Sequence, residues 1–440
     1  MSRTGMAKRT ANNEQRTADP AARKFALRCS FLIPLLSLPA AADPPFILID
    51  RDLRERRVEL AAITDRAVSF VDEIGLARTE PLDRQLALLR ITSRARFDAA
   101  TVPGWYERFL RLEVQPDEPQ IDESAPGMLV LTDGQRLPGR LAEAPAADGR
   151  VRWEHALFGT LDVDLERVRA VALASPWTAR PPPIDDTITL TNGDRVQGFV
   201  ERIGPEIVLD SGGSHAVIPI ARAGMVELAN PPASLDGPAV WLADGSVLAL
   251  SSITVSITGR AELASDDVSG SAGPVASISA SQIAAIAFDA GSLVPLASIP
   301  PVESHAGAAR VPPPSVERIA DAPLGAGDLV FPGPIDTQWP LPRGSSRLAA
   351  TVELPPASWV WGDCEVVVSV TAPGIPEREI TRIRVNGERP IARLDALLPS
   401  PARTDRTLRI TIDPGEFGPI QDRPVLRRAL LLIDRVAADR

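Results

Sequence analysis

The stretch LTNGDRVQGFV, residues 190–200, has the pattern of two short strands joined by a tight turn. Apolar and polar residues alternate on both sides of Asn192 and Gly193, and a period of two is typical of strands with one buried face. Asn-Gly between such strands predicts a two-residue type I′ turn, in which both central residues have positive φ. A near copy, LTDGQRLPGRL, stands at 131–141. One β-hairpin unit is therefore repeated in this chain.

The repeats extend beyond the hairpin. Each continues through alternating segments to a polar turn and a last apolar strand, and two further copies begin at AVWLADGSVLAL (239–250) and FILIDRDLRERRVEL (46–60). Several short strands with one apolar face predict a small closed barrel of SH3 or Sm type, because closure removes exposed sheet edges. An open antiparallel meander is the alternative. We expect positive φ at Gly134 and Gly193, and a longer or bulged turn at 51–57, where the glycine is missing.

From about residue 327 the strands become longer. Arg382 and Arg384 alternate with Ile383 and Val385, which indicates a sheet with one solvated face. The predicted fold class is all-β: tandem small SH3/Sm-like barrels followed by a jelly-roll β-sandwich. The predicted organisation is a signal peptide at 1–42, barrel-like repeats at 43–92, 127–174, 184–229 and 238–289, a helical insertion and linker at 93–126, a Pro-rich linker at 290–326, and the jelly-roll domain at 327–440.

The N-terminus has the order of a secretory signal. A basic stretch precedes the apolar run CSFLIPLLSLPAAA, and small residues at Ala40 and Ala42 stand before Asp43. We predict cleavage after Ala42 and export to the periplasm, the cell surface or the medium; a buried strand that begins a cytosolic domain is the alternative. No later apolar run has the length of a membrane span.

Charge and cysteine content restrict the partners. The formal net charge is −10, and removal of 1–42 makes it −15, so a nucleic-acid partner is not expected, because phosphate binding needs a basic surface. Cys364 is the only cysteine that remains after this cleavage, which leaves no intrachain disulfide. The sequence leaves the oligomeric state open.

The C-terminal region resembles the NPCBM family of carbohydrate-binding modules, which have a galactose-binding-like fold. The resemblance rests on SSRLAATVELP (345–355), CEVVVSVTAPG (364–374), RTLRITIDPGEFG (406–418) and RPVLRRALLLI (423–433). It covers about a quarter of the chain. The resemblance implies a β-sandwich that binds a glycan.

No set of residues with catalytic or metal-binding spacing is present. His155, His215 and His305 lie in different segments without a second ligand at metal spacing, and no nucleophile motif or phosphate-binding loop occurs. Asp133, Asn192 and Asp244 recur at the hairpin tips, where turn chemistry accounts for them. We therefore predict no enzyme activity, no cofactor and no metal.

The segment PPASWVWGDCE (355–365) favours a binding site. Trp359 and Trp361 would share a face of an extended strand, and flat aromatic rings stack on sugars. Packing in the sandwich core is the alternative. Asn386, in the turn VNGE, is a candidate hydrogen-bonding partner, unless it serves only the backbone. The sequence predicts an exported, non-catalytic protein that binds a polysaccharide or an envelope component; a scaffold whose barrels bind proteins is the alternative.

Overall fold

The computed structural model describes residues 46–91, 127–144, 146–147, 149–173, 183–265, 275–307, 309–317, 323–399, 405–416 and 418–434. Within these residues the regular elements are β-strands and three-residue 3-10 turns, which confirms the all-β class. None of these residues belongs to a helix long and apolar enough to cross a membrane. The predicted signal peptide at 1–42 and the predicted helical insertion at 93–126 lie outside the described residues.

Four segments, named modules 1 to 4, have the same antiparallel strand order. In module 1 this order is β4-β3-β2-β1-β5. Its strands are β1 Phe46–Asp50, β2 Glu55–Ile63, β3 Ala67–Asp72, β4 Ala77–Pro81 and β5 Gln85–Arg90. Those of module 2 are β6 Gly127–Leu131, β7 Arg136–Leu141, β8 Arg150–His155, β9 Gly159–Asp164 and β10 Val168–Ala172.

Modules 3 and 4 repeat this order, with the second strand of module 4 divided in two. The strands of module 3 are β11 Asp186–Leu190, β12 Arg195–Ile203, β13 Glu206–Ser211, β14 Ser214–Pro219 and β15 Ala223–Glu227. Those of module 4 are β16 Ala239–Leu242, β17 Val247–Ala249, β18 Ser252–Val255, β19 Arg260–Ala264, β20 Val275–Ser279 and β21 Ile283–Ala287. The internal repetition read from the sequence thus corresponds to one repeated strand topology.

The closed SH3/Sm-like barrels expected from the sequence are not found. In the described residues no ladder joins the fourth strand of a module to its last strand; a 3-10 turn, such as Leu82–Arg84 in module 1, connects them. The second edge of each last strand is instead paired with the last strand of another module, β10 with β15 and β5 with β21. The free edge is thus covered by a neighbouring module rather than by ring closure.

Within the described residues four strand contacts join one module to another, and each of them joins equivalent positions. Val171 of β10 faces Val226 of β15, and Leu88 of β5 faces Ile286 of β21, each residue also facing its own first strand. The two remaining contacts pair Arg136 with Val247 and Ile63 with Val255, and these partners again match in the repeat. Modules of this chain therefore associate through like surfaces related by local twofold axes.

The hairpin turn differs from the predicted two-residue type I′ turn. Gly134 and Gly193 have φ of +88° and +86°, as expected, but the residues before them do not have positive φ. The amide of Gly134 donates to the Leu131 carbonyl, which makes a three-residue turn with the glycine in the left-handed region. Leu53 takes the same place in module 1, with φ +53° and the same hydrogen bond to Asp50. Of the longer or bulged turn expected at 51–57, the chain thus has the bulged form, which is also the form of the modules that keep the glycine.

Two further sheets form a β-sandwich. One has the order β25-β26-β33-β28-β31, with β22 on β33, and the other has the order β24-β23-β27-β32-β29-β30. An apolar core containing Trp339, Leu348, Val366 and Ile410 lies between them. The strands are β22 Leu293–Pro295, β23 Glu303–Ala306, β24 Ala309–Arg310, β25 Ser315–Glu317, β26 Asp328–Val330, β27 Ile335–Leu341, β28 Ser345–Glu353, β29 Asp363–Ala372, β30 Ile375–Asn386, β31 Ile391–Leu397, β32 Arg406–Pro414 and β33 Val425–Ile433.

The segment 290–326 differs from the Pro-rich linker that its composition predicts. Strand β22 pairs with β33, β23 pairs with β27, and β25 pairs with β26, so this segment adds strands to both sheets. Its prolines stand mainly between these short strands, where a missing N–H breaks no ladder. Composition alone did not distinguish short paired strands from a linker.

Module 1 packs against the sandwich through its hairpin turn. Leu53 is 1% exposed and belongs to an apolar cluster that includes Ala349 and Leu430. Next to it, Glu55 accepts hydrogen bonds from Arg393 at 2.9 Å and Arg428 at 3.0 Å. Burial acts to raise the pKa of Glu55, but the two arginines lower it overall because they stabilise the carboxylate. The left-handed turn thus carries a buried leucine and an ion-paired carboxylate into this contact.

Candidate functional site

An exposed apolar tip, Trp359-Val360-Trp361, connects the two sheets of the sandwich. The chain leaves β28 at Glu353, makes a 3-10 turn at Pro356–Ser358 and enters β29 at Asp363. Trp359 has helical dihedral angles, so the extended strand assumed for the tryptophan pair is wrong, because Pro355 and Pro356 favour a turn. The residues Trp359 and Trp361 are 41% and 51% exposed, which excludes the alternative that both pack in the core.

Hydrogen bonds and close packing hold this tip. The indole Nε1–H of Trp359 donates to the Leu354 carbonyl at 2.7 Å. The turn after β30 lies against the same residue, since a side chain at Gly387 would collide with the Trp359 carbonyl. The backbone of Gln421 lies against Gly362 on another side, because a Cβ at Gly362 would be 3.0 Å from its oxygen. Three loops therefore meet at the tip.

Asn386 lies in one of these loops and serves its turn. Its Oδ1 accepts hydrogen bonds from the backbone amides of Glu388 at 3.1 Å and Arg389 at 2.8 Å. This geometry accounts for the Asn-Gly sequence without any ligand. The Nδ2 amide has no hydrogen-bond partner within the described residues, so the same side chain retains a donor.

Buried carboxylates fix the base of the loops. Asp363, 1% exposed, accepts two hydrogen bonds from Arg384, at 2.7 and 2.5 Å, and one from the Glu416 amide at 2.9 Å. The hydrogen bonds from Arg384 lower the pKa of Asp363. Asp422 is also 1% exposed and accepts from the Asp363 amide at 3.1 Å. Its second oxygen has no partner among the described residues, and burial raises the pKa of this carboxyl group.

Charged side chains stand on two of these three loops. Glu388 and Arg389 follow the Asn386 turn, Glu416 follows β32, and Arg423 precedes β33; all four are exposed. Neither arginine has an ion-pair partner in the part of the chain that the structure describes. The three loops therefore carry both flat aromatic rings, which can stack on a sugar, and charged groups, which can form hydrogen bonds.

Neither the cysteine nor the histidines of the described residues supply a reactive nucleophile or general base at these loops. Cys364 is fully buried, and burial raises the pKa of its thiol to about 12, so the thiol stays protonated. His155, His215 and His305 do not converge: the first hydrogen-bonds Ser246, and the other two pair with Glu201 and Glu303. The described residues contain no cluster of three or more His, Cys, Asp or Glu side chains that could hold a metal ion.

Sequence reasoning named part of this site. It selected Trp359, Trp361 and Asn386, and the structure brings their loops together. It did not select Asp363, Arg384 or Asp422, whose roles depend on loop contacts between residues far apart in sequence. The alternation of Arg384 with Val385 marked an outward side chain, but no local pattern identified its partner.

Comparison with known proteins gives only distant likenesses. No protein family and no curated protein matches this chain. Its structural neighbours include CBM51 carbohydrate-binding modules of Clostridium perfringens. One is the CBM51 of GH95 in complex with methyl-galactose, with 10% identity, a TM-score of 0.24, and coverage of 32% of this chain and 99% of that one. Another is the CBM51-2 in complex with GlcNAc and INT domains of ZmpB, with 11% identity, a TM-score of 0.25, and coverage of 42% and 38%. This chain spans less than half of the latter, and scores of this size support no conclusion about its ligand.

Proposed function

We propose that this protein is an exported, non-catalytic glycan-binding protein whose ligand stacks on the tip formed by Trp359, Val360 and Trp361. The observation that carries the proposal is the exposure of two tryptophan residues, 41% and 51%, in one short loop. Large apolar rings at the surface of a protein are unfavourable in water, and burial against the apolar face of a sugar relieves this. The proposal of export rests on residues 1–42, in which a basic stretch is followed by an apolar run.

The tip is preorganised for such a contact. The hydrogen bond from the Trp359 indole to Leu354 and the packing of Gly387 and Gly362 fix the loop before a ligand arrives. A rigid site avoids part of the ordering entropy that a flexible loop loses on binding. Arg389, Arg423 and the Nδ2 of Asn386 supply the polar groups that a sugar hydroxyl needs. The loops therefore combine a stacking platform with hydrogen-bond donors.

A glycan array and affinity electrophoresis with the full chain test the proposal. Methyl-galactose, GlcNAc and bacterial and plant polysaccharides serve as probes. Trp361→Ala should weaken retention at least tenfold, which corresponds to about 1.4 kcal/mol, whereas Trp359→Phe, which keeps a ring but loses the indole donor, should weaken it less. Ile257→Ala removes an apolar side chain that is 85% exposed in module 4 and should bind as the unchanged protein does.

Two outcomes would contradict parts of the proposal. If no glycan binds, and a protein partner is recovered instead, the scaffold alternative replaces glycan binding. Export is tested separately by expression with residues 1–42 intact and N-terminal sequencing of the mature chain, which should begin at Asp43. A mature chain that still begins at Met1 in the cytosol would refute export without affecting the binding test.

A further inference from the structure

One buried position of the repeat is polar in module 1 and apolar in the other three modules. It is the first residue of the last strand, three residues before the residue at the centre of the pairing between modules. In module 1 this residue is Gln85, which is 1% exposed. In modules 2, 3 and 4 it is Val168, Ala223 and Ile283, all of them buried. The fold of a module therefore does not require a polar side chain at this position.

The Gln85 side chain is held so that one of its polar atoms is left over. Its Nε2 donates to Glu80 Oε2 at 2.9 Å, and the Glu80 carboxylate accepts two hydrogen bonds of 2.6 Å from Arg56. Because a carboxylate only accepts hydrogen bonds, the amide nitrogen is the atom that faces it. The Oε1 atom is buried and has no hydrogen-bond partner within the described residues. A buried acceptor without a donor is unfavourable, so Gln85 points to a donor from outside this part of the chain.

Gln85 lines a cavity of about 460 Å³ between module 1 and the end of module 4. This volume lies in the range of small-molecule sites. The charged residues of the lining are Arg51, Asp65, Arg66, Asp83 and Asp289. Arg51 lies 3.5 Å from Asp289 and Arg66 lies 3.4 Å from Asp65, whereas the Asp83 carboxylate has no partner among the described residues. Because carboxylates outnumber arginines here, the cavity favours a cation.

Module 4 shows which group occupies the equivalent place in the repeat. In each module, the first residue of the 3-10 turn and the first residue of the last strand contribute a pair of backbone carbonyls. In module 4 these are the carbonyls of Ala280 and Ile283. Arg90 of module 1 donates hydrogen bonds to both, with 2.8 Å from its Nε to the Ile283 oxygen. A guanidinium group from the paired module thus covers this pair.

Module 2 has a donor at the same place. Its carbonyls are those of Leu165 and Val168, and both accept from the Nδ2 of Asn230, at 2.8 and 2.7 Å. Asn230 lies in the segment that follows β15, the strand that pairs with module 2. In two modules, therefore, a planar nitrogen group that belongs to the partner module donates to both carbonyls.

Module 1 has the carbonyl pair but not the donor. Its carbonyls are those of Leu82 and Gln85, and both residues line the cavity. No side chain of the described residues donates to either carbonyl. Phe288 also lines the cavity, and it stands where Arg90 stands in the other half of this contact, two residues after the central paired residue. A phenyl ring has no N–H group, so the chain does not provide here the donor that it provides in modules 2 and 4.

We propose that the cavity at Gln85 binds an alkylguanidinium group, of the kind that an arginine side chain carries. Its N–H groups donate to Gln85 Oε1 and to the carbonyls of Leu82 and Gln85, as Arg90 donates to the equivalent carbonyls of module 4. The Asp83 carboxylate complements its positive charge. Leu82 and Phe288 offer apolar contacts to the methylene chain behind the charged group. The group belongs either to a free guanidinium compound or to an arginine of a polypeptide.

Isothermal titration calorimetry of the full chain with N-acetyl-arginine amide tests the site. N-acetyl-citrulline amide is the matched control, because it replaces the guanidinium group by a neutral urea group of similar shape. The arginine compound should bind about tenfold more tightly than the citrulline compound, and salt should weaken its binding. Methylguanidine separates the two sources. Binding as tight as that of the arginine compound indicates a free guanidinium compound, weaker binding indicates an arginine side chain, and either result supports the site.

Substitutions in the cavity test the residues that carry the proposal. Gln85→Val, which gives module 1 the residue of module 2, should weaken binding about tenfold. Asp83→Asn should weaken it about threefold, since an exposed ion pair is worth less. Glu166→Gln, at the equivalent position of module 2, should have no effect. Phe288→Arg supplies the donor from the chain itself and should abolish binding. Thermal midpoints verify that each variant is folded.

The tryptophan tip of the sandwich supplies the competing site, because a guanidinium group also stacks on aromatic rings. Trp361→Ala should therefore leave binding of the arginine compound unchanged. The proposal is overturned if the arginine and citrulline compounds bind equally or not at all, or if Trp361→Ala abolishes binding. It is also overturned if Gln85→Val or Phe288→Arg binds the arginine compound as tightly as the unchanged protein does.

Discussion

Gly139 lies where two strands of module 2 approach each other too closely for a side chain. A Cβ at this position would stand 2.6 Å from Trp153 Nε1 and still closer to the Glu154 carbonyl oxygen. Gly198, its equivalent in module 3, would meet Leu209 Cγ at 3.0 Å and the Asp210 carbonyl oxygen at a shorter distance. In both modules the second strand turns here from the first strand to the third. Gly139→Ala should therefore force β7 away from β8.

The expected loss is about 2–4 kcal/mol of unfolding free energy. Overpacking of a close-packed interior contributes about 1–3 kcal/mol, and weakened ladder hydrogen bonds contribute about 1 kcal/mol each. The matched control is Gly134→Ala, in the hairpin turn of the same module. Gly134 has φ +88°, and a Cβ added there would have no atom within 4 Å, so only backbone strain of about 1–2 kcal/mol applies.

Amide hydrogen exchange of peptides from β7 and β8 measures the local effect, and urea unfolding measures the global one. A local probe is needed because a chain of several modules need not unfold in two states. Gly139→Ala should accelerate exchange in module 2 more than Gly134→Ala does, with module 4 less affected. Equal effects of the two substitutions would show that the close approach of β7 and β8 is not the reason for a glycine at position 139.

Two further predictions concern residues buried where a module meets another part of the chain. His155 is 3% exposed, its Nδ1 accepts hydrogen bonds from the backbone amides of Leu157 and Phe158, and burial lowers its pKa from the ordinary 6.5. Its contribution to the unfolding free energy should therefore be constant above pH 6.5 and should decrease as the pH falls below that value. His155→Gln should flatten this pH dependence in urea titrations, and an unchanged slope would contradict the assignment. Leu53→Ala loses apolar burial and keeps the strain of a left-handed residue, whereas Leu53→Gly loses the burial and relieves the strain. The alanine variant should therefore be less stable than the glycine variant by about 0.5–1 kcal/mol. The reverse order in thermal unfolding would show that the turn is not strained.

The sequence predicted local features of the fold better than contacts between elements. Alternation and the Asp-Gly and Asn-Gly turns located the hairpins, and positive φ at Gly134 and Gly193 followed from turn geometry. Barrel closure was wrong because the partner of the last strand lies in another module, and no local pattern encodes that partner. The segment 290–326 was mistaken for a linker for the same reason, since its short strands are defined by sheets formed elsewhere.

At the candidate site, too, local features were predicted better than contacts between distant segments. The two tryptophans were found because an aromatic pair in a Pro-rich stretch is visible in one window of sequence. Their conformation was wrong, because the period-two pattern was extended into a loop that begins with two prolines. The burial of Asp363 and Asp422 could not be predicted, since each becomes buried only when the loops before β29 and β33 meet.

The four modules differ in the surroundings of the hairpin turn, at the left-handed residue and the residue after it. In module 2 this residue is Gln135 and in module 4 it is Ser246, and both are fully buried where the two modules meet. In module 1 the turn residue itself, Leu53, is buried against the sandwich. In module 3 the equivalent residue is the exposed Asp194, whose carboxylate hydrogen-bonds only within its own turn. The turns of modules 1, 2 and 4 are therefore covered by other parts of the chain, whereas the turn of module 3 is exposed in the part of the chain that the structure describes.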